Sequence, residues 1–366
     1  MNLISLACVV PVTRYKQSDL WPIYARQPLS KTLRDGSNQM MKKLLLRENG
    51  VNYRHFALDD IDALLKLDAE GLNHAFEKAA PELASEAVAK ALEESGLDVD
   101  SVDALFVCTC TGYLCPGLSS HVSEQLGLRR DAYLQDLVGM GCGAAIPTLR
   151  SAAAFCAMNP KARVAVVAVE ICSAAFYLED QGDVIISACL FGDGAAAVIL
   201  AGDDVSSSED SWQFSDFDTI HVPEEREALR FVNDGGKLKN RLARSVPEVA
   251  GKAVSKLWSR HEEENGSAYE ILPHAGGRQI LAALAEELPQ KDFVESAWAL
   301  ENGGNMSSPS VLFALGAYLK NHDKDVPVSL PSDWGKAPAR AAVNPSQLWL
   351  TSFGAGFTAH SCTLSK

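Results

Sequence analysis

A cysteine set between glycines is the residue in this sequence best suited to covalent chemistry. Cys142 stands in the run Gly139-Met-Gly-Cys-Gly143, after an apolar stretch and before small apolar residues at 144–158. Glycine permits a sharp strand-to-helix turn and close approach of a substrate to the main chain. The N–H groups and positive end of a buried helix starting there would favour the reactive thiolate. The pattern predicts a nucleophile, and a core cysteine beside packing glycines is the alternative.

A histidine and an asparagine occupy comparable turns further along the chain. His274 lies in Leu272-Pro-His-Ala-Gly-Gly277, between an apolar strand and a glycine turn, where α/β folds present reactive groups. Asn305 follows two glycines and precedes an apolar segment, so a helix N-cap is its alternative role. A thiolate attacks a thioester, and an imidazole or amide N–H stabilises the oxyanion or enolate that results. These residue types together favour acyl transfer.

Strands that alternate with helices must position these turns. Residues 203–210 are acidic and rich in serine, and they mark the predicted boundary between two parts, 1–205 and 206–366. Both parts pass through strand, turn with a candidate reactive residue, apolar helix and closing strands, which favours an α/β fold with a structural duplication. The predicted buried strands include 3–12, 104–110, 163–170, 214–222, 269–272, 347–353 and 357–363.

Composition narrows the functional classes. The 366 residues fit one large domain or two of about 180 residues each. A formal charge of −14 argues against nucleic acid and anionic membranes as partners, and no apolar run approaches the length of a spanning helix. The N-terminus lacks the positive segment of a signal peptide. Nine scattered cysteines, an odd number, favour reduced thiols and a cytoplasmic location.

Three clusters allow a binding role or a purely structural one. Cys108, Cys110 and Cys115 lie in a turn-rich loop, but their spacing is not that of a zinc knuckle and no metal site is predicted. The predicted helix at 31–49 is basic, which suits a solvated face or a dock for a phosphate-bearing carrier such as coenzyme A. A second basic stretch favours a solvated surface and contains Lys237, Lys239, Arg241 and Arg244.

Together these motifs resemble the type III polyketide synthases, the chalcone synthase family. The resemblance rests on Cys142 in Gly-Cys-Gly-Ala-Ala, the run Phe191-Gly-Asp-Gly-Ala-Ala-Ala197, His274 in Pro-His-Ala-Gly-Gly and Asn305 in Gly-Asn-Met-Ser-Ser. It implies a thiolase fold, with two similar αβαβα halves forming a five-layered core, in a homodimer with a tunnel to the active site. It further implies an acyl-CoA starter on Cys142, malonyl-CoA as extender, and neither a cofactor nor a metal.

The resemblance also implies a substrate cavity. Phe191 is similar to the family's gatekeeping aromatic, with a core phenylalanine as the alternative, and Cys115 matches a residue donated across the dimer interface. Gly354 lies in Ser352-Phe-Gly-Ala-Gly356, where alanine replaces the family's turn-stiffening proline. The remaining residues matching the substrate pocket are Cys110, Cys172, Ala174, Ala175 and Ser307. The candidates matching the coenzyme A helix are Lys42, Lys43 and Arg47.

The mostly small pocket residues favour a fatty acyl or other bulky starter. The expected product is then an alkylpyrone, an alkylresorcinol or a phloroglucinol-type compound. Two alternatives remain: a ketoacyl-carrier-protein synthase III, which shares Cys, His and Asn but condenses once, and a non-catalytic thiolase-fold binding protein. The run Met306-Ser-Ser308 and the turn after Phe191 favour the polyketide branch.

Overall fold

The apolar runs of the sequence form the strands of one large mixed sheet. The structure is a computed structural model, and it describes residues 1–47, 49–58, 60–205, 211–339 and 346–366. The strands are β1 (Asn2–Val9), β2 (Arg14–Lys16), β3 (Tyr53–His55), β4 (Ala104–Thr109), β5 (Tyr133–Val138), β6 (Arg163–Glu170), β7 (Gly194–Ala201), β8 (Gln213–His221), β9 (Leu229–Asp234), β10 (Lys237–Leu242), β11 (Glu270–Pro273), β12 (Val328–Ser329), β13 (Gln347–Gly354) and β14 (Thr358–Ser365). The helices are α1 (Leu20–Ala25), α2 (Asp35–Leu46), α3 (Ile61–Leu64), α4 (Ala69–Ser95), α5 (Leu118–Leu126), α6 (Ala145–Met158), α7 (Gly182–Leu190), α8 (Val246–Asn265), α9 (Arg278–Glu287), α10 (Val294–Gly303) and α11 (Ser310–His322).

Strand order in the large sheet shows an internal duplication. The order is β11-β13-β14-β8-β1-β7-β6-β4-β5, with β12 beside β1. The series β4-β6-β7-β1 pairs parallel, antiparallel and antiparallel, and the series β11-β13-β14-β8 repeats those pairings in the same chain order. One pair, Asn2 opposite Gln213, joins the two series. The limits 1–205 and 206–366 stay a prediction, and residues 206–210 lie outside the described residues.

Helices cover and separate the two parts of the sheet in layers. The helices α6 and α11 contact strands of both series, so they form the middle layer. Their apolar side chains belong to one large core cluster with strands on both sides. A second cluster lies under α4 and a third under α8 and α9. This is the five-layered thiolase arrangement that the sequence predicts, and it suits strands such as β4 and β7, which are buried along their whole length.

One expectation about burial is wrong at the open edge of the sheet. Within the described residues β5 pairs only with β4, and Tyr133, Leu134 and Val138 are exposed. The helix α6 was expected to be buried, but only one face is, and Met158 at its end is 83 % exposed. The apolar composition of α6 therefore does not reflect burial in one chain. We also find no helix in the described parts that is long and apolar enough to cross a bilayer.

Candidate active site

The turn that carries Cys142 is held against a neighbouring hairpin by close backbone contact. Cys142 lies in one turn of 3-10 helix, Gly141–Gly143, directly between β5 and α6, as the sequence predicts. Gly141 has φ +61°, and a side-chain carbon there would lie 3.0 Å from the backbone nitrogen of Ala355. A side-chain carbon on Gly143 would lie 3.1 Å from the nitrogen of Gly354. A side chain at either position would press on the β13–β14 loop, so the two glycines allow this loop to pack closely on the turn that carries Cys142.

Ser307 connects two of the predicted reactive residues. Its hydroxyl donates to the Sγ atom of Cys142 at 3.3 Å and lies 3.2 Å from the Sγ atom of Cys110. Its backbone N–H donates to Oδ1 of Asn305 at 2.8 Å. Ser307 adopts φ +60°, a left-handed backbone conformation that is unfavourable for residues other than glycine. Such strain is found at sites where geometry matters more than local stability.

Asn305 is fixed by backbone pairing with the segment that carries Phe191. The Asn305 N–H donates to the carbonyl of Leu190 at 3.0 Å, and the Gly192 N–H donates to the carbonyl of Asn305 at 3.1 Å. Its side-chain Nδ2 donates to the carbonyl of Gly276 at 3.1 Å, which leaves a second N–H for a ligand. Because α11 begins only at Ser310, the alternative role of Asn305 as its N-cap is wrong.

His274 follows β11 and is almost completely buried. Its backbone N–H donates to the carbonyl of Thr351 at 2.8 Å. Its ring packs edge-on against Phe353, with 5.4 Å between the two ring centres. Neither ring nitrogen has a hydrogen-bond partner among the described residues. Burial lowers the pKa of His274 to about 3, so the imidazole is neutral at physiological pH.

The protonation of Cys142 differs from the thiolate that the sequence predicts. Burial raises the pKa of Cys142 to about 12, although the hydrogen bond from Ser307 opposes the shift. Burial lowers the pKa of His274, so no imidazolium is present at rest to offset it. Desolvation disfavours the charged form of both groups. The resting site therefore holds a neutral thiol and a neutral imidazole.

A buried arginine, which the sequence does not single out, supports the same region. Arg54 on β3 is 2 % exposed, and its Nη1 donates to the carbonyls of Ala188 at 2.7 Å and Phe191 at 2.9 Å. Its Nε donates to Oε1 of Gln17 at 2.8 Å. The last carbonyls of a helix lack intrahelical partners and attract cations. Arg54 thus holds the end of α7, and with it the backbone of Phe191.

One cavity brings the predicted reactive residues together. It has a volume of about 820 Å³, and Cys142, His274, Asn305 and Phe191 all line it. Its basic lining residues come from three places in the chain: Lys43 and Arg47 in and after α2, Arg244 before α8, and Arg278 at the start of α9. Lys42 lies apart, with its Nζ 5.6 Å from the centre of the Trp21 ring.

The other predicted cavity residues are distributed around the Cys142 sulfur. Cys172 and Phe191 form a buried cluster with Cys142, and both line a second, smaller cavity that Ala175 also lines. Ala174 packs instead in the core under α4. Gly354 contacts the nucleophile turn through its backbone, and Cys115 is exposed. Among the described residues we find no group of three His, Cys, Asp or Glu side chains arranged to hold a metal ion.

Comparisons with known proteins agree with this geometry. The sequence profile described as chalcone and stilbene synthases, N-terminal domain, matches residues 2–204. The chain is 29% identical over 288 residues to 3,5-dihydroxyphenylacetyl-CoA synthase of Streptomyces toyocaensis, covering 75% of this chain and 73% of the relative. It is 27% identical over 322 residues to 1,3,6,8-tetrahydroxynaphthalene synthase of Streptomyces peucetius subsp. caesius, covering 86% and 84%.

A solved structure supports the fold assignment. PKS-I from the brown alga Ectocarpus siliculosus superposes with a TM-score of 0.87 at 21% identity, covering 100% of this chain and 98% of that one. The chain belongs to the chalcone and stilbene synthase family, the type III polyketide synthases. It is accordingly a condensing enzyme of the acyltransferase class.

Proposed function

We propose that the protein loads an acyl group from an acyl-CoA onto Cys142 and extends it by decarboxylative condensation with malonyl-CoA. The observation that carries this proposal is the single cavity of about 820 Å³ that Cys142, His274 and Asn305 share with basic residues. A buried sulfur, a neutral imidazole and a fixed carboxamide are the groups that such a reaction requires.

Loading begins with proton transfer inside the site. Because Cys142 and His274 are both neutral at rest, the Cys142 proton moves to the imidazole as the sulfur attacks the thioester carbonyl. The carbon–sulfur bond to coenzyme A breaks, the leaving thiolate takes the proton, and the acyl group remains on Cys142. His274 suits this role because its ring nitrogens have no partner among the described residues.

Extension uses His274 and Asn305 as hydrogen-bond donors. The malonyl carboxylate leaves as carbon dioxide, and the electron pair of the broken bond forms an enolate on the thioester. The neutral His274 N–H and the second N–H of the Asn305 amide stabilise the enolate oxygen. The enolate carbon then attacks the acyl-Cys142 carbonyl, which forms a carbon–carbon bond and releases the sulfur. The chain is now two carbons longer and is carried by coenzyme A.

The cations of the cavity support recognition of coenzyme A phosphates. Lys43 of α2 and Arg244 before α8 both line the cavity, and no ion pair is observed for either among the described residues. Replacing both with glutamine is expected to raise the KM for an acyl-CoA about tenfold, since each phosphate contact is a charge-assisted hydrogen bond. The value of kcat should change little. Steady-state kinetics at two salt concentrations measures both, because the salt dependence of KM should weaken in the variant.

A matched control lies on the same helix. Lys42→Gln removes a neighbouring cation whose Nζ lies over Trp21, and its KM should stay at the wild-type value. If Lys42→Gln raises KM as much as the double variant does, the change in KM reflects the general loss of positive charge, and the proposed phosphate contacts are contradicted.

A homodimer accounts for the exposed apolar face at the sheet edge. This face consists of β5 and the outer side of α6, with Leu134, Val138 and Met158 exposed. An unpaired apolar edge strand is a template for association. The exposed Cys115 lies shortly before α5, whose Ser119 N–H donates to Oδ1 of Asp136 on β5 at 3.0 Å, and this position supports its role at the same interface. Light scattering should give twice the chain mass of 39.3 kDa, and Val138→Glu should give the monomer mass. A wild-type monomer would contradict the proposal.

The residues that line the cavities support a proposal about the starter and the product. Small residues near the sulfur, such as Cys172 and Ala175, support a bulky starter and an alkylpyrone, alkylresorcinol or phloroglucinol-type product. All nine cysteines lie in described parts of the chain, and all nine are free thiols. This supports a cytoplasmic location.

Product analysis tests the proposed function. The protein is incubated with malonyl-CoA and a panel of acyl-CoA starters, and the products are identified by mass spectrometry. Two or more extensions without a carrier protein are expected. A single extension that needs a carrier protein would favour the synthase III alternative, and the absence of any acyl adduct would favour a binding protein.

A further inference from the structure

A small second cavity lies behind the reactive sulfur. Its volume is about 30 Å³, and it is lined on one side by Cys172 and Phe191, which form a buried cluster with Cys142. Phe191 lines the large cavity as well, so this side chain separates the two spaces. The small cavity therefore lies next to the cluster that contains Cys142, and the far end of an acyl group on Cys142 would pass Phe191 to reach it.

The far wall of this cavity carries polar groups among apolar ones. Tyr177 is 8 % exposed and Asn240 is 6 % exposed, and both residues line the cavity. The Tyr177 hydroxyl and Oδ1 of Asn240 have no hydrogen-bond partner in the described parts of the chain. A buried polar atom without a partner carries a free-energy cost that a suitable ligand removes.

The hydrogen-bond directions at this wall are determined by the surrounding bonds. The Ser187 hydroxyl donates to the carbonyl of Asp183 at 2.7 Å, so it accepts from Nδ2 of Asn240 at 2.9 Å. This bond leaves Oδ1 of Asn240 as a free acceptor. Burial raises the pKa of Tyr177 well above its ordinary value, so its phenol stays neutral and can donate.

The position of Tyr177 is maintained from outside the cavity. Its ring packs under two lysines of β10, with Nζ of Lys237 5.3 Å and Nζ of Lys239 5.6 Å from the ring centre. Lys239 is itself held by Glu179 at 2.9 Å and Asp234 at 2.7 Å. The donor of Tyr177 is therefore part of a supported wall, which also holds the acceptor of Asn240.

We infer that Tyr177 and Asn240 recognise a hydroxyl group at the far end of the starter acyl chain carried on Cys142. This inference rests on the proposed function and specifies its substrate class. A hydroxyl accepts a hydrogen bond from Tyr177 and donates one to Asn240, so one group satisfies both atoms. A plain alkyl end leaves both atoms unpaired, and sites built to bond a substrate hydroxyl discriminate against analogues that lack it. The starter is thus an acyl group oxygenated at its end, in place of a simple fatty acyl chain.

Loading of matched starters tests this inference without any extension step. The wild type is given pairs of acyl-CoAs that differ only in a terminal hydroxyl, such as hexanoyl-CoA and 6-hydroxyhexanoyl-CoA, over a range of chain lengths. The rate of Cys142 acylation is followed by intact-protein mass spectrometry. The hydroxylated member of the best pair is expected to load about tenfold faster, as one or two added hydrogen bonds would produce. Tyr177→Phe removes only the hydroxyl and should bring that ratio close to one.

Tyr269 provides a matched control for this experiment. Tyr269→Phe removes a tyrosine hydroxyl that lies outside both cavities, and its ratio should equal that of the wild type. The inference is overturned if Tyr177→Phe keeps the wild-type ratio, or if the wild type prefers the unsubstituted member of every pair. Either result means that a bound water molecule forms the hydrogen bonds to Tyr177 and Asn240, since a cavity of about 30 Å³ is large enough to hold one water molecule. Acylation without selectivity overturns this inference alone, whereas the absence of acylation by every starter overturns the proposed function as well.

Discussion

Cys142→Ala is expected to abolish covalent loading, so that an acyl-CoA leaves no added mass on the protein. Eight other cysteines remain in the variant, and none of them is expected to take the place of Cys142. Cys110 and Cys172 do not line the large cavity that Cys142 shares with His274, so neither has that imidazole as a proton acceptor. Intact-protein mass spectrometry after incubation with an acyl-CoA measures the adduct directly, and peptide mapping locates it.

Cys156 supplies the matched control for this experiment. It is a buried cysteine on α6, the same helix that follows the nucleophile turn, but it packs in the central core away from the cavity. Cys156→Ala should load as the wild type does, although its stability falls by about 1 kcal/mol for the lost core contacts. An adduct that persists in Cys142→Ala, or that disappears in Cys156→Ala, would show that the nucleophile has been misassigned.

The positions of Cys142 and His274 on strand-end turns could be predicted because their signals are local. Cys142 and His274 each follow a strand and stand beside glycines whose backbone freedom the observed turns use. The strand pairings that repeat between the two parts of the chain also leave local traces, since each buried strand is an apolar run. Residue type and neighbours in sequence were sufficient to predict where these two side chains lie in the fold, while their catalytic roles stay a prediction.

Burial at the edge of the sheet could not be predicted, because it depends on which elements become neighbours. The pattern of β5 does not reveal that it is the last strand of the sheet, and α6 has the composition of an interior helix although one face is open. Both features are consistent with burial by a second chain, as the proposed dimer requires. Apolar composition indicates that a surface is covered, but not by which chain.

Some residues that support the site could not be predicted, because their roles depend on contacts with residues far away in the sequence. Arg54 lies in a strand of three residues, and only its approach to the end of α7 reveals that it holds the Phe191 carbonyl. The acceptor on Asn240 depends on how the β9–β10 hairpin packs on α7. The charge state of Cys142 and His274 follows from complete burial, which is a tertiary property, so the predicted thiolate was wrong for the resting site.

Loss of either hydrogen-bond donor should slow decarboxylation of malonyl-CoA by about 100- to 1,000-fold, the usual effect of removing one donor to an oxyanion. Asn305→Ala should show this defect while it still loads an acyl group on Cys142. His274→Ala should be impaired in both steps, because the imidazole also accepts the Cys142 proton. His274→Gln retains an N–H donor and should keep more decarboxylation than His274→Ala. Release of carbon dioxide and formation of the adduct are measured separately.

The pH dependence of decarboxylation tests the same assignment in the wild type. An imidazole is neutral above its pKa, and burial places that of His274 at about 3, so the N–H donor does not change its charge between about pH 5 and 8. The decarboxylation rate should therefore be flat across that range. A rate that instead changes through an apparent pKa near the ordinary histidine value of about 6.5 would mean that His274 is solvated in the working enzyme. Decarboxylation undiminished in both alanine variants would show that neither side chain stabilises the enolate.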